Sequence, residues 1–240
     1  MEKRQIYDDG ELYDIQNSFD RDDIDFYKQI VRKYGDPVLE LACGTGVLTI
    51  PIAKEGNSIT GLDLSKEMLR QGIKKAEGIK NIEFVNGNMT DFNLGKKFKT
   101  IFLGFNSVCH LFNYFEITNM LTCVKNHLES NGVFVLDCFI PSAKYLCRDE
   151  NTHYPVIDEK GLKITETNKY DSIEQINHIK WFYEYEGEKW IEDLDMRIFY
   201  PQEIQNYIKI NGMKIIEMYG DHDFGEFSDK NRFQIYVCKK

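Results

Sequence analysis

Several features are scarce in this chain of 240 residues, and each absence removes a class of protein. The 6 cysteines form no Cys-x-x-Cys pair and have no histidine at zinc-binding spacing, so we expect reduced thiols and no metal site. No apolar run approaches the roughly 20 residues that a membrane-spanning helix needs, and the first residues are polar where a secretory signal would be apolar. We therefore expect a cytoplasmic protein without membrane association.

Positive charge is scarce as well. The chain has 30 lysines and arginines against 39 aspartates and glutamates, which gives a formal net charge of −9. Basic side chains cluster only at Lys96, Lys97 and Lys99. Because a negative molecule repels phosphate backbones, nucleic acid is a disfavoured partner.

Helical and strand patterns alternate through the first part of the chain. Helices are predicted at 22–34, 47–55, 65–76 and 114–129, the third with Ser65 as its cap. Strands are predicted at 38–41, 58–62, 81–85, 98–104 and, after a turn at 130–132, at 133–139. Five strands with helices between them predict a parallel, doubly wound α/β sheet.

The pattern changes after residue 140. Long aromatic and β-branched runs at 162–170, 173–185 and 189–199 predict an inserted antiparallel sheet of two or three strands. A helix at 201–210 and strands at 213–219 and 232–238 then return to the core. The full prediction is a seven-stranded, mostly parallel sheet with an antiparallel β insert, divided at 1–140, 141–200 and 201–240.

A glycine turn at Gly44 and Gly46 follows the first predicted core strand and precedes a helix. Such a turn lets a ligand approach the backbone, and the following helix presents free N–H groups. Asp63 ends the next strand, seventeen residues after Gly46, where a carboxylate can accept both hydroxyls of a ribose. The two signals together predict a nucleoside-containing cofactor, although a glycine turn can also simply link a strand to a helix.

Spacing favours one cofactor over the others that use such turns. The dinucleotide fingerprint places a third glycine or alanine three residues after the second, and Thr49 stands there instead. Glu40 would repel a pyrophosphate but would hold the ammonium of a methionine moiety. Both departures favour S-adenosylmethionine (SAM) over a nicotinamide or flavin cofactor.

The pattern Glu-Leu-Ala-Cys-Gly-Thr-Gly at 40–46, followed by Gly-Leu-Asp-Leu-Ser at 61–65, resembles the class I SAM-dependent methyltransferases. Ala42 departs from many members, which have glycine there. The resemblance implies SAM as cofactor and S-adenosylhomocysteine as product. It also implies a Rossmann-like SAM-binding core with an N-terminal lid at 1–140, an insert at 141–200 that serves as substrate roof or interface, and a return to the core at 201–240.

The same resemblance implies the cofactor contacts. Leu64 and Met68 are expected as apolar walls for the adenine, although either suits the core equally. The residues at 86–88 also suit a plain turn. The expected cofactor-binding residues are Glu40, Ala42, Gly44, Gly46, Asp63, Leu64, Met68, Asn88, Met89, Gly104 and Phe105.

Methyl transfer needs an aligned nucleophile, exclusion of water and an acceptor for a proton. The segment 105–111 has neither the Asn/Asp-Pro-Pro-Tyr/Phe motif nor the Pro-Cys pair of enzymes that methylate DNA bases. It is similar instead to small-molecule methyltransferases, including those acting on amino sugars, which implies that His110 and Tyr13, beside Asp14, face the acceptor. His110 also suits a helix cap, and the segment 7–19 suits either a lid or a surface arm.

Three further features complete the sequence-based hypothesis. The insert carries Trp181, Tyr183, Tyr185, Trp190 and Phe199, most of which are expected in the core, and the loop at 219–227 borders the acceptor or an interface. The predicted function is methyl transfer to nitrogen or oxygen of a small molecule, by a monomer or homodimer. The alternatives are methylation of RNA or protein, and a SAM-binding sensor or partner protein without transferase activity.

Overall fold

The computed structural model describes residues 2–18, 23–159 and 161–240. Its helices are α1 (Gly10–Gln16), α2 (Asp23–Tyr34), α3 (Thr49–Lys54), α4 (Lys66–Lys75), α5 (Tyr114–His127), α6 (Ala143–Leu146) and α7 (Pro201–Ile210), with a 3-10 turn at Ser107–His110. Its strands are β1 (Glu2–Arg4), β2 (Val38–Leu41), β3 (Ile59–Asp63), β4 (Ile82–Asn86), β5 (Phe98–Leu103), β6 (Leu128–Phe139), β7 (Tyr154–Glu159), β8 (Leu162–Asp171), β9 (Ile176–Tyr185), β10 (Glu188–Arg197), β11 (Lys214–Tyr219) and β12 (Phe233–Lys239).

The larger sheet has seven strands in the order β11-β12-β6-β5-β2-β3-β4. The five strands from β6 to β4 run parallel, and β12 and β11 pair antiparallel at the edge. Apolar side chains of α5 and α7 pack into one hydrophobic cluster and those of α2 and α3 into another. Strands such as β2, buried along their whole length, fit a parallel sheet covered on both faces. The predicted doubly wound sheet with an antiparallel edge is confirmed.

Local capping signals set the helix starts where they were predicted. The Ser65 side chain accepts a hydrogen bond from Met68 N at 3.2 Å and caps α4. Asn113 and Glu116 form a reciprocal capping box at the start of α5, which satisfies two backbone donors that a helix start leaves free. The predicted helix at 22–34 is α2, whose first predicted residue, Asp22, lies outside the described residues.

The start of α3 and the predicted turn before β6 differ from the prediction for local reasons. Helix α3 begins at Thr49, two residues later than predicted, because the backbone leaves Gly46 at a φ of +77° and completes its turn first. The predicted turn at 130–132 lies inside β6, where the pairing with β5 shifts register between Phe98 and Thr100. Gly132 fits this bulge because a Cβ there would lie 2.9 Å from the Lys99 carbonyl oxygen.

The insert is larger than predicted. Its four strands and the N-terminal β1 form a five-stranded sheet in the order β1-β10-β9-β8-β7, in which β1 pairs parallel with β10 and the other pairs are antiparallel. The sequence missed β7, which is largely exposed, and the short, polar β1. This sheet is called the roof sheet below. Among the described residues, no helix is long and apolar enough to cross a membrane.

Candidate active site

The glycine turn after β2 has a backbone that favours residues without side-chain bulk. Ala42, Gly44 and Gly46 have φ angles of +53°, +54° and +77°, all in the left-handed region. A Cβ at Gly46 would also lie 3.0 Å from the Phe84 ring. The turn therefore exposes backbone groups at the carboxyl end of β2, which is the edge where parallel α/β sheets bind ligands.

Asp63, at the end of β3, is fixed against this turn. Its Oδ2 accepts a hydrogen bond from Gly44 N at 2.7 Å, and its Oδ1 accepts one from Ser65 N at 2.8 Å. Burial raises the pKa of the Asp63 carboxyl above its ordinary value, and these backbone donors oppose that rise. An ionised carboxylate has about four acceptor sites, more than these backbone donors fill, so acceptor capacity remains for a ligand hydroxyl.

These residues fit the adenosyl part of SAM. Asp63 provides free acceptor positions at the strand tip, and the neighbouring Leu64 side chain is 71% exposed. An apolar side chain left in solvent beside a buried carboxylate suits a nucleoside, whose base needs an apolar wall and whose ribose needs acceptors. Contact of Leu64 with the adenine stays a prediction.

Two other predicted cofactor residues, Glu40 and Met68, are less exposed to solvent than Leu64. Glu40 is 5% exposed, and its carboxylate accepts a hydrogen bond from the Thr49 hydroxyl. Met68 is 2% exposed, which favours the core role that the sequence left open for it. Contact of either residue with a ligand stays a prediction.

The tip of β4 is organised as a turn. Asn88 Oδ1 accepts hydrogen bonds from the backbone and the hydroxyl of Thr90, both at 2.9 Å, so its acceptor oxygen is already occupied. Asn86 Nδ2 donates to the carbonyl oxygens of Asp63 and Leu64, at 3.0 and 2.8 Å. Met89 packs against the main hydrophobic cluster. The adenine contacts of Asn88 and Met89 stay predictions.

The segment after β5 also has a backbone conformation that favours small side chains. Phe105 and Asn106 have φ angles of +56° and +60°, and a Cβ at Gly104 would lie 2.8 Å from the Tyr27 hydroxyl. Asp137, buried in β6, accepts a hydrogen bond from the Tyr27 hydroxyl at 2.7 Å and a longer one from Asn106 N at 3.4 Å. Asp137 therefore fixes the backbone of the segment in which Gly104 and Phe105 were predicted to line the methionine arm.

His110 lies at the end of the 3-10 turn and faces the N-terminal segment. Its Nε2 lies 3.0 Å from the Tyr7 hydroxyl, and the two rings meet edge to face with centroids 5.6 Å apart. His110 is not the cap of α5, because Asn113 fills that place. Burial lowers the pKa of the His110 imidazole below 6.5, and burial raises the pKa of the Tyr7 phenol well above its usual range. The pair is therefore a neutral imidazole beside a protonated phenol at neutral pH.

Tyr13, on α1, completes an aromatic group with Tyr7, whose ring centroid is 6.0 Å away. The Tyr13 ring lies over the glycine turn, since a Cβ at Gly44 would be 3.8 Å from it. Asp14 anchors α1 below this group: it accepts hydrogen bonds from Thr45 Oγ1 and Gln71 Nε2, at 2.5 and 3.0 Å. The segment predicted as a lid thus lies across the strand tips, although Phe19, at its predicted end, lies outside the described residues.

The sequence missed three residues of this region. Tyr7 follows no periodic pattern, and its contact with His110 spans 103 residues of chain. Asp137 had one signal, a lone carboxylate in an otherwise apolar strand. His222, in the loop at 219–227, is 8% exposed, and its Nε2 lies 3.2 Å from Asp137 Oδ2, so this loop reaches the same buried carboxylate.

The roof sheet packs against α1. Tyr183 and Trp190 are buried and stack with centroids 4.8 Å apart, and Leu12 and Ile15 of α1 pack against them. Phe199 is also buried, whereas Trp181 and Tyr185 are partly exposed. As expected, most of these aromatic side chains belong to the core.

Comparison with known proteins agrees with this geometry. Residues 38–132 match the model of a methyltransferase domain. The chain is similar to the dTDP-3-amino-3,4,6-trideoxy-alpha-D-glucopyranose N,N-dimethyltransferase of Streptomyces venezuelae, at 34% identity over 42% of this chain and 41% of that protein. Its fold is similar to the CcbJ methyltransferase from Streptomyces caelestis, with a TM-score of 0.86 and 25% identity over 98% of both chains. It is also similar to a SAM-dependent methyltransferase from Clostridium acetobutylicum, with a TM-score of 0.80 and 21% identity over 95% of this chain and 96% of that one.

The fold and the strand-tip motif define the class I SAM-dependent methyltransferases. Residues 38–132 of this chain form a methyltransferase domain, and the chain as a whole has the fold of that class. The predicted family, fold class and SAM cofactor are therefore confirmed. The chain spans about half the length of curated relatives such as the Streptomyces enzyme.

Proposed function

We propose that this protein transfers a methyl group from SAM to nitrogen or oxygen of a small-molecule acceptor. The observation that carries the proposal is the Tyr7–His110 pair, which lies between the cofactor edge of the core sheet and the roof sheet. A proton acceptor at that place has no function in a protein that only binds SAM, whereas methyl transfer to an N–H or O–H group must release a proton.

Bound SAM supplies an electrophilic methyl group on a sulfonium. Asp63 and the turn at Gly44 would hold its ribose and amino acid portion, and the rings of Tyr7 and Tyr13 exclude water from the strand tips. The neutral His110 imidazole takes up the acceptor's proton. In the tautomer that carries its proton on Nδ1, His110 Nε2 accepts a hydrogen bond from the Tyr7 hydroxyl. The acceptor's proton then passes to the Tyr7 oxygen while the phenolic proton moves to the imidazole.

Two observations favour a small-molecule acceptor over RNA: the net charge of the chain and the names of similar proteins. The net charge of −9 disfavours an RNA substrate, and the similar Streptomyces venezuelae protein is an amino-sugar N,N-dimethyltransferase by name. We further propose the division at 1–140, 141–200 and 201–240 with the roof sheet over the substrate, and a monomer or homodimer. A cytoplasmic location fits the six free cysteines.

The test is production of S-adenosylhomocysteine from SAM with a panel of amino sugars and the corresponding sugars without the amine. We expect turnover with at least one acceptor and loss of turnover in His110→Ala. The matched control is His178→Ala, because His178 is half exposed and pairs with Asp195 at 2.7 Å on the outer face of the roof sheet. Unaltered SAM with every acceptor, despite tight SAM binding, would support the sensor alternative instead.

A further inference from the structure

The inner face of the roof sheet carries a row of charged and aromatic side chains. Strand register pairs Arg4 with Glu192, Glu192 with Trp181, and Trp181 with Glu166. Directly paired residues on neighbouring strands project to the same face. Glu166 and Glu192 are 7% and 6% exposed, so two buried carboxylates flank one indole.

The two carboxylates differ in how their charge is compensated. Glu166 is paired with the Arg148 guanidinium at 3.0 Å and accepts a hydrogen bond from Trp181 Nε1 at 3.2 Å. Glu192 accepts a hydrogen bond from Trp190 Nε1 at 3.1 Å and interacts with the Tyr183 hydroxyl, both neutral groups. Within the described part of the chain, no salt bridge reaches Glu192.

Arg4, the cationic residue in the row, forms its salt bridge with Glu188 and not with Glu192. Its guanidinium lies 2.7 Å from Glu188 and 4.3 Å from the centre of the Trp190 ring, and it acts on Glu192 only at longer range. A buried carboxylate without a cationic partner is costly, because burial removes the water that solvates its charge. A cation that enters from solvent would offset this cost.

Glu192 lies beside the reaction site. Strand β10, which carries it, packs against the 3-10 turn that carries His110. The Tyr7 hydroxyl lies close enough to feel the charges of both Glu192 and Asp63.

We propose that Glu192 binds the ammonium group of the acceptor, and that the substrates of this protein are therefore amines rather than alcohols. This inference rests on the proposed function and specifies its acceptor class. An alcohol brings no charge to offset the buried carboxylate, whereas an ammonium does. One N–H bond of the ammonium breaks, its electron pair stays on nitrogen, and the proton passes to the Tyr7–His110 pair. That electron pair would then form the bond to the methyl carbon as the sulfur–methyl bond breaks, with the electrons of the broken bond left on sulfur in S-adenosylhomocysteine.

The two tryptophans of the chain provide separate reporters, because Trp190 Nε1 donates to Glu192 and Trp181 Nε1 donates to Glu166. The experiment follows the indole N–H resonances of the full-length, nitrogen-15-labelled protein by NMR. The probes are piperidinium and cyclohexylammonium chloride, each compared with its neutral isostere, tetrahydropyran or cyclohexanol. We expect a saturable shift of the Trp190 resonance with the amines, at an affinity at least ten times that for the isosteres.

Glu192→Gln removes the charge and keeps the shape, and it should lower amine affinity at least tenfold. Glu166→Gln is the matched control, because it alters the carboxylate that Arg148 already neutralises, and it should leave the Trp190 response in place. If Glu192→Gln does not fold, Glu192→Asp replaces it. This variant keeps the charge and should retain amine selectivity. Equal response to amines and isosteres, no response to any probe, or unchanged affinity in Glu192→Gln would overturn the proposal.

Failure of this inference is distinguishable from failure of the proposed function. SAM binding and S-adenosylhomocysteine production without amine selectivity would remove only the role of Glu192. Amine binding at Glu192 in a protein that never consumes SAM would keep the cation site and remove the methyltransferase function.

Discussion

The Tyr7 hydroxyl lies 3.0 Å from Nε2 of His110, and this contact joins the N-terminal segment to the turn after β5. The Ser65 hydroxyl donates to the Tyr7 carbonyl oxygen at 3.0 Å, so the same residue is also tied to the cap of α4. A single tyrosine thus connects the cofactor edge of the core sheet with the candidate base. In the proposed function, this contact is the route by which the acceptor's proton leaves.

Removal of either member of this pair should slow the reaction more than it weakens cofactor binding. General base catalysis contributes about 10²- to 10⁴-fold, so His110→Ala should lower kcat by at least about 100-fold with SAM affinity little changed. Tyr7→Phe should have a smaller effect of the same kind, because the imidazole can then take the proton directly. Steady-state kinetics with SAM titrations measure both quantities, and an equal loss in SAM affinity would indicate a structural role.

The pH dependence should show an acid limb that belongs to His110. Burial lowers the pKa of the imidazole below 6.5, so the base stays neutral at pH 7 and activity should fall only as pH drops below that value. Stability follows the same sign. An imidazole whose pKa is lower in the folded state binds protons more readily when unfolded, so its contribution to stability is lost as pH falls below about 6.5. Profiles of kcat and of unfolding for wild type and His110→Ala test this, and an acid limb unchanged in the variant would contradict it.

Ala42→Gly should stabilise the protein. A left-handed conformation costs a residue with a Cβ about 1–2 kcal/mol, and the greater freedom of glycine in the unfolded chain returns about 0.4–1 kcal/mol of that gain. A net increase of about 0.5–1 kcal/mol in the free energy of unfolding is expected for Ala42, whose φ is +53°. Urea denaturation measures it. Ala53→Gly, inside α3, is the control and should destabilise by about 1 kcal/mol or more.

Tyr27→Phe should destabilise the fold through Asp137. The Tyr27 hydroxyl donates to this buried carboxylate at 2.7 Å, and a hydrogen bond to a charged group contributes about 1.5–3 kcal/mol. Tyr34→Phe is the matched control: it removes a bond of the same length to Glu217, which is partly exposed and also paired with Lys33. A loss below about 1 kcal/mol is expected there. Equal losses in the two variants would show that Asp137 does not depend on Tyr27.

The structural features that could be predicted from the sequence are those that depend on residues close together in the chain. The turn at Gly44 and Gly46, the cap at Ser65 and the position of Asp63 all follow from local chemistry, and the order of strands then determined the fold class. Pairing between distant segments was less visible. Strand β1 owes its conformation to β10, and β6 begins at Leu128 because β5 pairs with it through a shifted register.

The candidate site shows the same division. His110 and Tyr13 were identified through a family resemblance, but the partner of His110 was not, because Tyr7 lies in a segment without helical or strand periodicity. Tyr27 and Asp137 are 110 residues apart, and the sequence around either residue does not indicate that they are in contact. Glu192 and Glu166 look alike within alternating strands, and only the position of Arg148 separates their roles.

The measurement that tests the central claim most directly is calorimetric titration of the protein with SAM, S-adenosylhomocysteine and NAD. Wild type should bind the first two and not NAD. Asp63→Asn, which keeps an acceptor oxygen but loses the charge, should weaken their binding at least about tenfold. Asp193→Asn, on the outer face of β10 where Asp193 pairs with Lys3, should bind them as wild type does. Binding of NAD alone, or SAM affinity unchanged in Asp63→Asn, would contradict the assignment of this strand tip as the cofactor site.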